Sequence, residues 1–392
     1  MTEYDKILIA SLDSFLNSKK VFISFETDTA VQLIKRAKEQ KTLPIVFLEN
    51  RAEFERVLPE AEFLAVKKEV MFAVSSQLQR SAELVRICSM MEKNGISYIV
   101  FKGAVCRALY TNPEYRTSTD EDLLVKAENI EKAKQILLAN GYRLINEKSG
   151  EIKLANKFLN SLVELHSSLV DESVSDGMRA VGDIFKNQLE KSVSIDIGAG
   201  KVKTFTPTFG FLSLCVHFFN HFVRGGIGIR PVMDIACFIS TYRAEIDFDF
   251  CFSVLETINA KKTIRTVMAI CEKYFNVELN VSENDKTVNL LLSDILGAGA
   301  YGTADSGRVH SGAVTKNLAH KDKGIISTAF SVLIPSEDEI VSKHPEMRGK
   351  KREIRNYRIK RIIGFAGEKG KFKTVKTAGN RKKLLKELEI YE

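Results

Sequence analysis

A chain of 392 residues can hold two or three packed units, each with its own core. With 44% hydrophobic and 28% charged residues the composition is globular and excludes an intrinsically disordered chain. The net charge of +8 is uneven: residues 348–386 hold 16 Lys and Arg against Glu353 and Glu368, a local +14 that leaves the remainder at −6.

The opening stretch, MTEYDKILIASLDSFLNSKK, has no basic segment followed by a long apolar one, so a secretory signal is not expected. No apolar run approaches the roughly 20 residues that cross a bilayer. The six cysteines (Cys88, Cys106, Cys215, Cys237, Cys251, Cys271) form no C-x-x-C pair. Most sit in apolar helical patterns, where a reduced thiol acts as a small hydrophobe. A cytosolic protein without a disulfide framework is expected.

Residues 1–94 read as a helical region. Ala30, Val31, Leu33, Ile34 and Ala37 recur at helical spacing, as do Leu84, Ile87, Cys88 and Met91, with Pro44 and Pro59 as punctuation. Asn94-Gly95 predicts a helix stop. Residues 95–207 change character. Ile96–Phe101 is a short β-branched and aromatic run that predicts a buried strand, followed by Lys102-Gly103-Ala104 and a helical stretch from Val105. Asp120–Val125 is a second strand candidate, Ile130–Asn140 a helix, Tyr142–Ile145 a third strand and Leu162–His166 a further one. This alternation predicts a small sheet with helical cover. Residues 208–347 return to helix, at Phe211–Phe222, Pro231–Ile239, Ala260–Phe275 and Val288–Leu296, with Gly297–Gly324 expected as a mobile loop. Residues 348–392 are the basic tail. It can contact phosphates on RNA, DNA or an anionic surface, or be a solvated helical face with a mobile end. Its few aromatics (Tyr357, Phe365, Phe372) supply no stacking platform.

Chemistry-bearing residues concentrate in the second region. Gly103 at a strand–helix junction lets backbone approach a ligand, and N–H groups at a helix start favour phosphate. Asp120 and Asp122 share one face of their strand and Glu121 takes the other. Two carboxylates about 7 Å apart suit one or two hard divalent cations, whereas an exposed strand entry would leave them solvated. Glu164 and His166 likewise share a face. If their strand lies beside Asp120–Asp122, Glu164 becomes a third carboxylate, as two-metal phosphoryl transfer requires. His166 on such a strand reads as structural more readily than as a participant. Further on, His217 and His221 stand i, i+4 on one helix, near Asp234 on the next. Polar packing or substrate contact suits them better than zinc, since no third short-range ligand is present. Arg230 is a candidate for the triphosphate.

Taken together, Lys102-Gly103-Ala104, Leu109-Tyr110, Arg116, Asp120-Glu121-Asp122-Leu123-Leu124-Val125, Gly141-Tyr142 and Glu164-Leu165-His166 form a pattern that resembles the uncharacterised nucleotidyltransferase family of the DNA polymerase β-like superfamily. The likeness continues through Leu212-Ser213-Leu214, His217, His221, Arg230, Asp234-Ile235 and Ile246-Asp247-Phe248 to Pro335-Ser336 and His344-Pro345. The resemblance implies an α+β fold: a small polymerase β-like core with a mixed sheet, flanked by N- and C-terminal helical regions. It implies Mg²⁺ or Mn²⁺ held by Asp120, Asp122 and Glu164, and an NTP such as ATP contacted by Lys102, Gly103, Ala104, Arg116 and Arg230. The implied reaction is nucleoside monophosphate transfer to an acceptor (small molecule, peptide, protein or RNA) with release of pyrophosphate. Two positions depart from the pattern. Ala104 replaces the usual Ser or Gly, and Glu121 stands where an apolar residue is normal. A charge on the buried face of a strand needs a partner, with Lys102 and Arg116 as candidates, unless that face is exposed or the site has decayed. The alternatives are an inactive NTP-binding protein or a nucleic-acid-binding one acting through the tail.

Overall fold

The computed structural model describes residues 1–300 apart from 149, 157, 159–160 and 171–174, and beyond them 337, 340, 347, 349–367 and 381–390, with the side chains of 360–367 left aside. Most of the expected loop at Gly297–Gly324, the Pro335-Ser336 and His344-Pro345 pairs and part of the basic tail lie outside the described residues. The fold is α+β, a five-stranded mixed sheet flanked by helices. No helix among the described residues is long and apolar enough to cross a membrane.

Five helices come first: α1 (Glu3–Asn17), α2 (Thr27–Glu39), α3 (Leu43–Glu49), α4 (Arg51–Val57) and α5 (Glu60–Lys93). Thr2 and Asp5 form a reciprocal capping box at the start of α1. Pro44 sits in the first turn of α3, where its missing N–H costs nothing. The 34 residues of α5 span about 51 Å at 1.5 Å per residue.

The sheet follows: β1 (Tyr98–Phe101), the short α6 (Gly103–Arg107), β2 (Glu121–Val125), α7 (Ile130–Ala139), β3 (Arg143–Lys148), β4 (Glu151–Asn156) and β5 (Ser161–His166). Its strand order is β1-β2-β5-β4-β3, with β2 parallel to β5 and the other neighbours antiparallel. Tyr98, Val100, Leu123, Val125, Val163, Leu165, Ile152 and Leu154 share one core with Leu84, Ile87 and Met91 of α5 and Ala133 and Leu137 of α7. Because side chains alternate along a strand, Phe101, Asp122, Leu124, Glu164 and His166 occupy the opposite face. Glu121 falls on the α5 side, with Leu123 and Val125.

Strand β4 was not among the expected elements, nor were α8 (Asp176–Lys186), the β6 (Val193–Asp196)–β7 (Lys201–Thr204) hairpin and α11 (Phe248–Glu256). The helices α9 (Pro207–Arg224), α10 (Arg230–Tyr242), α12 (Lys261–Phe275) and α13 (Asp285–Ala298) match expected ones; α9, α10 and α13 run a few residues longer, whereas α12 starts one residue later. Helix α14 spans Lys351–Gly367, and residues 381–387 are helical as well. The chain divides into two compact units, one of residues 1–219 and 229–283, the other of 220–228 and 284–392.

In the second unit, α13 buries Val288, Leu291, Leu292 and Ile295, and residues 381–390 bury Leu384, Leu385, Leu388 and Ile390. Arg381 is 1% exposed; it lies 3.1 Å from Asp294 Oδ2, donates to the Phe222 carbonyl at 2.6 Å and stacks over the Phe222 ring. The last part of the basic tail is therefore built into a core, not a mobile end, while Lys382, Lys383 and Lys386 face solvent.

Candidate active site

Register makes the site. Asp122 on β2 lies directly beside Glu164 on β5, and the next row on the same face pairs Leu124 with His166. His166 Nε2 is 2.9 Å from Asp122 Oδ1 and 3.7 Å from Glu164 Oε2. Among the described residues, Asp122, Glu164 and His166 are the one group of three His, Cys, Asp or Glu side chains whose ligand atoms all lie within 4.8 Å of one another. Two carboxylate oxygens and an imidazole nitrogen suit a divalent cation of the Mg²⁺ or Mn²⁺ kind. The Phe101 ring stands edge-on to His166, with centroids 5.5 Å apart, and fixes that imidazole from the β1 side.

Asp120 precedes β2 rather than heading it, and is half-buried. Its hydroxyl neighbour Thr119 is 3.5 Å away, and its charge acts on Glu164 and Lys153. The expected three-carboxylate set is thus a tight trio of Asp122, Glu164 and His166, with Asp120 at its edge. His166, expected to be structural, is one of the three.

Two lysines complete the electrostatics. Lys102 Nζ lies 3.3 Å from Asp122 Oδ1, and Lys153 of β4 is ion-paired with Glu164 Oε1. Burial by itself would raise the Asp122 pKa, but Lys102, the His166 hydrogen bond and the nearby His217 outweigh it and hold the group well below the usual carboxylate range. Glu164 goes the other way. Burial raises its pKa, the Lys153 bond opposes, and the charges of Asp122 and Asp120 raise it further. Two adjacent carboxyls are therefore driven apart in basicity.

Lys102 adopts φ +58°, ψ −117° at the cap of α6, a conformation that costs a side-chain-bearing residue on the order of 1–3 kcal/mol. The strain aims its ammonium back across the end of β1 to Asp122. The next residue must be small. A Cβ on Gly103 would lie 2.7 Å from Glu121 Oε2 and 3.2 Å from the Asp120 carbonyl oxygen. The Ala104 amide expected to meet phosphate donates instead to Glu121 Oε2 at 3.1 Å.

Glu121 has a partner, and it is neither Lys102 nor Arg116. Arg107 of α6 donates to Glu121 Oε1 at 2.7 Å, and to Gln77 and Ser118 at the same distance. Gln77 and Arg80 of α5 in turn donate to the Ser118 carbonyl. Arg116, expected at the nucleotide, is 4% exposed and locked to Asp234 of α10 through bonds of 3.0 and 2.6 Å, with the Tyr110 hydroxyl donating to the same carboxylate at 2.9 Å. Arg230 donates to the Thr117 carbonyl at 2.5 Å. Residues 116–118, just ahead of Asp120, are thus held from α5 on one side and α10 on the other. His217 is half-buried within electrostatic reach of Asp122, whereas His221 is exposed and belongs to the second unit. With Asp234 committed to Arg116, these histidines and Asp234 make no common cation site among the described residues.

Sequence reasoning missed Lys153, Arg107 and Gln77. The alternation Glu151-Ile152-Lys153-Leu154 was the available signal for Lys153. Gln77 and Arg107 carry none outside the fold, because each acts through a contact distant in sequence.

The model of the uncharacterised nucleotidyltransferase family matches residues 28–276, which span the helices before the sheet other than α1, the sheet and most of the helices after it. The chain belongs to that family. A nucleotidyltransferase-like antigenic protein from Paracoccidioides brasiliensis, of known crystal structure, aligns over 51% of this chain and 94% of its own, at 16% identity and a TM-score of 0.34. No curated protein matches the chain.

Proposed function

We propose that the chain transfers a nucleoside monophosphate from an NTP, ATP among them, to an acceptor hydroxyl or phosphate, with release of pyrophosphate. Family membership supports the reaction class, and the pairing of Asp122 with Glu164 across β2 and β5 is the observation that carries it. Asp122 and Glu164 would hold Mg²⁺ or Mn²⁺, with His166 and Asp120 beside them. Such a cation supplies neutralisation of phosphate charge and a lowered pKa for a bound hydroxyl. Asp122, kept ionised, acts as the constant ligand. Glu164 is the more basic carboxyl and takes the acceptor's proton as its oxygen bonds to the α-phosphorus and the bond to pyrophosphate breaks. Lys102 and the backbone at Gly103 meet the triphosphate. Arg116, Arg230 and Asp234 serve the same reaction by fixing the segment that carries Asp120. The reading sets the reaction in the cytosol and keeps 95–207 as the catalytic core between helical regions 1–94 and 208–347, with 348–392 as a basic segment for polyanionic acceptors.

A second reading, an NTP-binding protein without turnover, is favoured by the lysines already paired with both carboxylates. One experiment separates the two. The protein is incubated with each α-labelled NTP, Mg²⁺ or Mn²⁺ and cell extract. Label transfer that disappears in both Asp122→Ala and Glu164→Ala establishes the transferase. Nucleotide binding without transfer establishes the second reading.

A further inference from the structure

Four charges form a band across four neighbouring strands. The register places Phe101 of β1 opposite Asp122, Asp122 beside Glu164, and Glu164 opposite Lys153 of β4, while Lys102 follows Phe101 directly. Across β1, β2, β5 and β4 the sequence of charges is Lys, Asp, Glu, Lys. Neighbouring carboxylates on one sheet face repel. Here each has its own ammonium on its outer side, so the band is neutral as it stands.

Both lysines are less enclosed than the other charged pairs around the site. Their side chains are 19% and 30% exposed, unlike the 2–5% of the locked Arg107–Glu121 and Arg116–Asp234 pairs. An ammonium on a flexible four-carbon stem changes partner readily. In the same position Lys102 Nζ also lies over the Phe101 ring, 4.7 Å from its centroid, a contact that does not depend on Asp122.

We infer that Lys102 and Lys153 are exchangeable counter-ions: a divalent cation at Asp122 and Glu164 displaces both, and the freed ammonium groups pair with the phosphates of the nucleotide. The inference rests on the proposed nucleotidyltransferase reading and adds to it a rule for the order of binding. A dication alone leaves the band at a surplus of two positive charges and must break two ion pairs. A nucleotide alone finds the lysines already engaged. Cation and triphosphate together give each of the four side chains a partner of opposite sign, so each strengthens the other by the same factor. Lys102 and Lys153 are then the residues that make the site select the metal–nucleotide complex over the free ion.

Mn²⁺ binding to the full chain, followed by electron paramagnetic resonance with and without ATP, tests this without any need for turnover. Wild type should bind Mn²⁺ weakly alone and about tenfold or more tightly with ATP. Lys102→Gln and Lys153→Gln should each bind Mn²⁺ alone about tenfold more tightly and lose most of the ATP enhancement. Lys153→Arg, which keeps the charge, should behave as wild type. Thermal melting confirms that each variant is folded, and Lys153→Met stands in should the glutamine variant unfold. Asp122-dependent Mn²⁺ binding that ignores both lysine substitutions overturns the inference and leaves the transferase reading intact. No Asp122-dependent Mn²⁺ binding in wild type, with or without ATP, overturns both.

Discussion

Arg107 and Glu121 meet at 2.7 Å with only 3% and 2% of their side chains exposed, and the pair ties the short helix α6 to the head of β2. Glu121, charged on the buried face of β2, is therefore compensated by Arg107. It holds the Ala104 amide, receives Arg107 and Ser118, and keeps the Lys102–Asp122 turn in place. Breaking a buried pair by removing one member leaves the other charge uncompensated. Glu121→Ala should cost about 3–5 kcal/mol in chemical denaturation. A paired change, Arg107→Met with Glu121→Leu, should recover most of that loss. Additive destabilisation in the double variant would show that the two do not act on each other.

Gly103 makes the same junction tight. In Gly103→Ala the new methyl meets a carboxylate that Arg107, Ser118 and the Ala104 amide all restrain, so it cannot swing aside freely. A loss of about 1–3 kcal/mol is expected, the usual cost of overpacking. Label transfer should fall further than in a distant variant of equal stability. A melting point equal to wild type would mean that Glu121 has room to move.

Much of this arrangement could be read from residues alone. The apolar runs at Ile96–Phe101 and Asp120–Val125 and the alternation ending in Glu164-Leu165-His166 are strong local signals, and they became β1, β2 and β5. The convergence of Glu164 on Asp122 was conditional on the two strands being neighbours, which local pattern cannot decide. Strand β4 carries the alternation Glu151-Ile152-Lys153-Leu154, a pattern that was not read as a strand, so Lys153 was missed with it. Arg116 and Asp234 were visible as residues of the resemblance. Their attachment to each other depends on α10 packing against α6, a long-range fact with no local trace.

That attachment gives another outcome. Asp234→Ala strips the partner from a guanidinium that is 4% exposed, and the chain should lose about 3–5 kcal/mol. Tyr110→Phe removes one hydrogen bond to the same carboxylate and should cost about 1 kcal/mol. Urea melts of the two variants give the comparison, and equal losses would contradict the ranking.

Acid stability should carry the mark of Glu53. Its pKa falls from an ordinary 4.5 to about 2, chiefly through the Arg56 hydrogen bond, against the opposing effect of burial and with help from the Phe25 amide and the Ser24 hydroxyl. A depressed carboxyl pKa stabilises the fold fully above 4.5, and that contribution disappears as pH drops from 4.5 toward 2. Glu53→Gln should be less stable at neutral pH, with a shallower fall across this window. A parallel pH profile for both proteins would rule the effect out.

The C-terminal residues set a condition on any test of polyanion binding. Leu388 is fully buried, so Leu388→Ala should cost about 2–5 kcal/mol, and truncation at 380 should destabilise the second unit. Lys382, Lys383 and Lys386 are exposed, and their triple change to Glu should leave the melt unchanged. If the segment holds RNA, that triple variant loses retention and flattens its salt dependence. Loss of retention confined to Leu388→Ala would mean that folding, not charge, was being measured.

The parallel contact between β2 and β5 has a consequence for how the protein is made. Antiparallel neighbours can zip up from a tight turn, but these two strands are separated by α7, β3 and β4, and the slot for β5 lies between β2 and β4. Asp122 and Glu164 consequently become neighbours only when β5 is seated beside β2, and the proposed dication would find no carboxylate pair before then. Capture of the proposed dication would then report that β5 is in place. It should lag behind helix formation in a refolding time course and raise the melting temperature only of molecules that have finished.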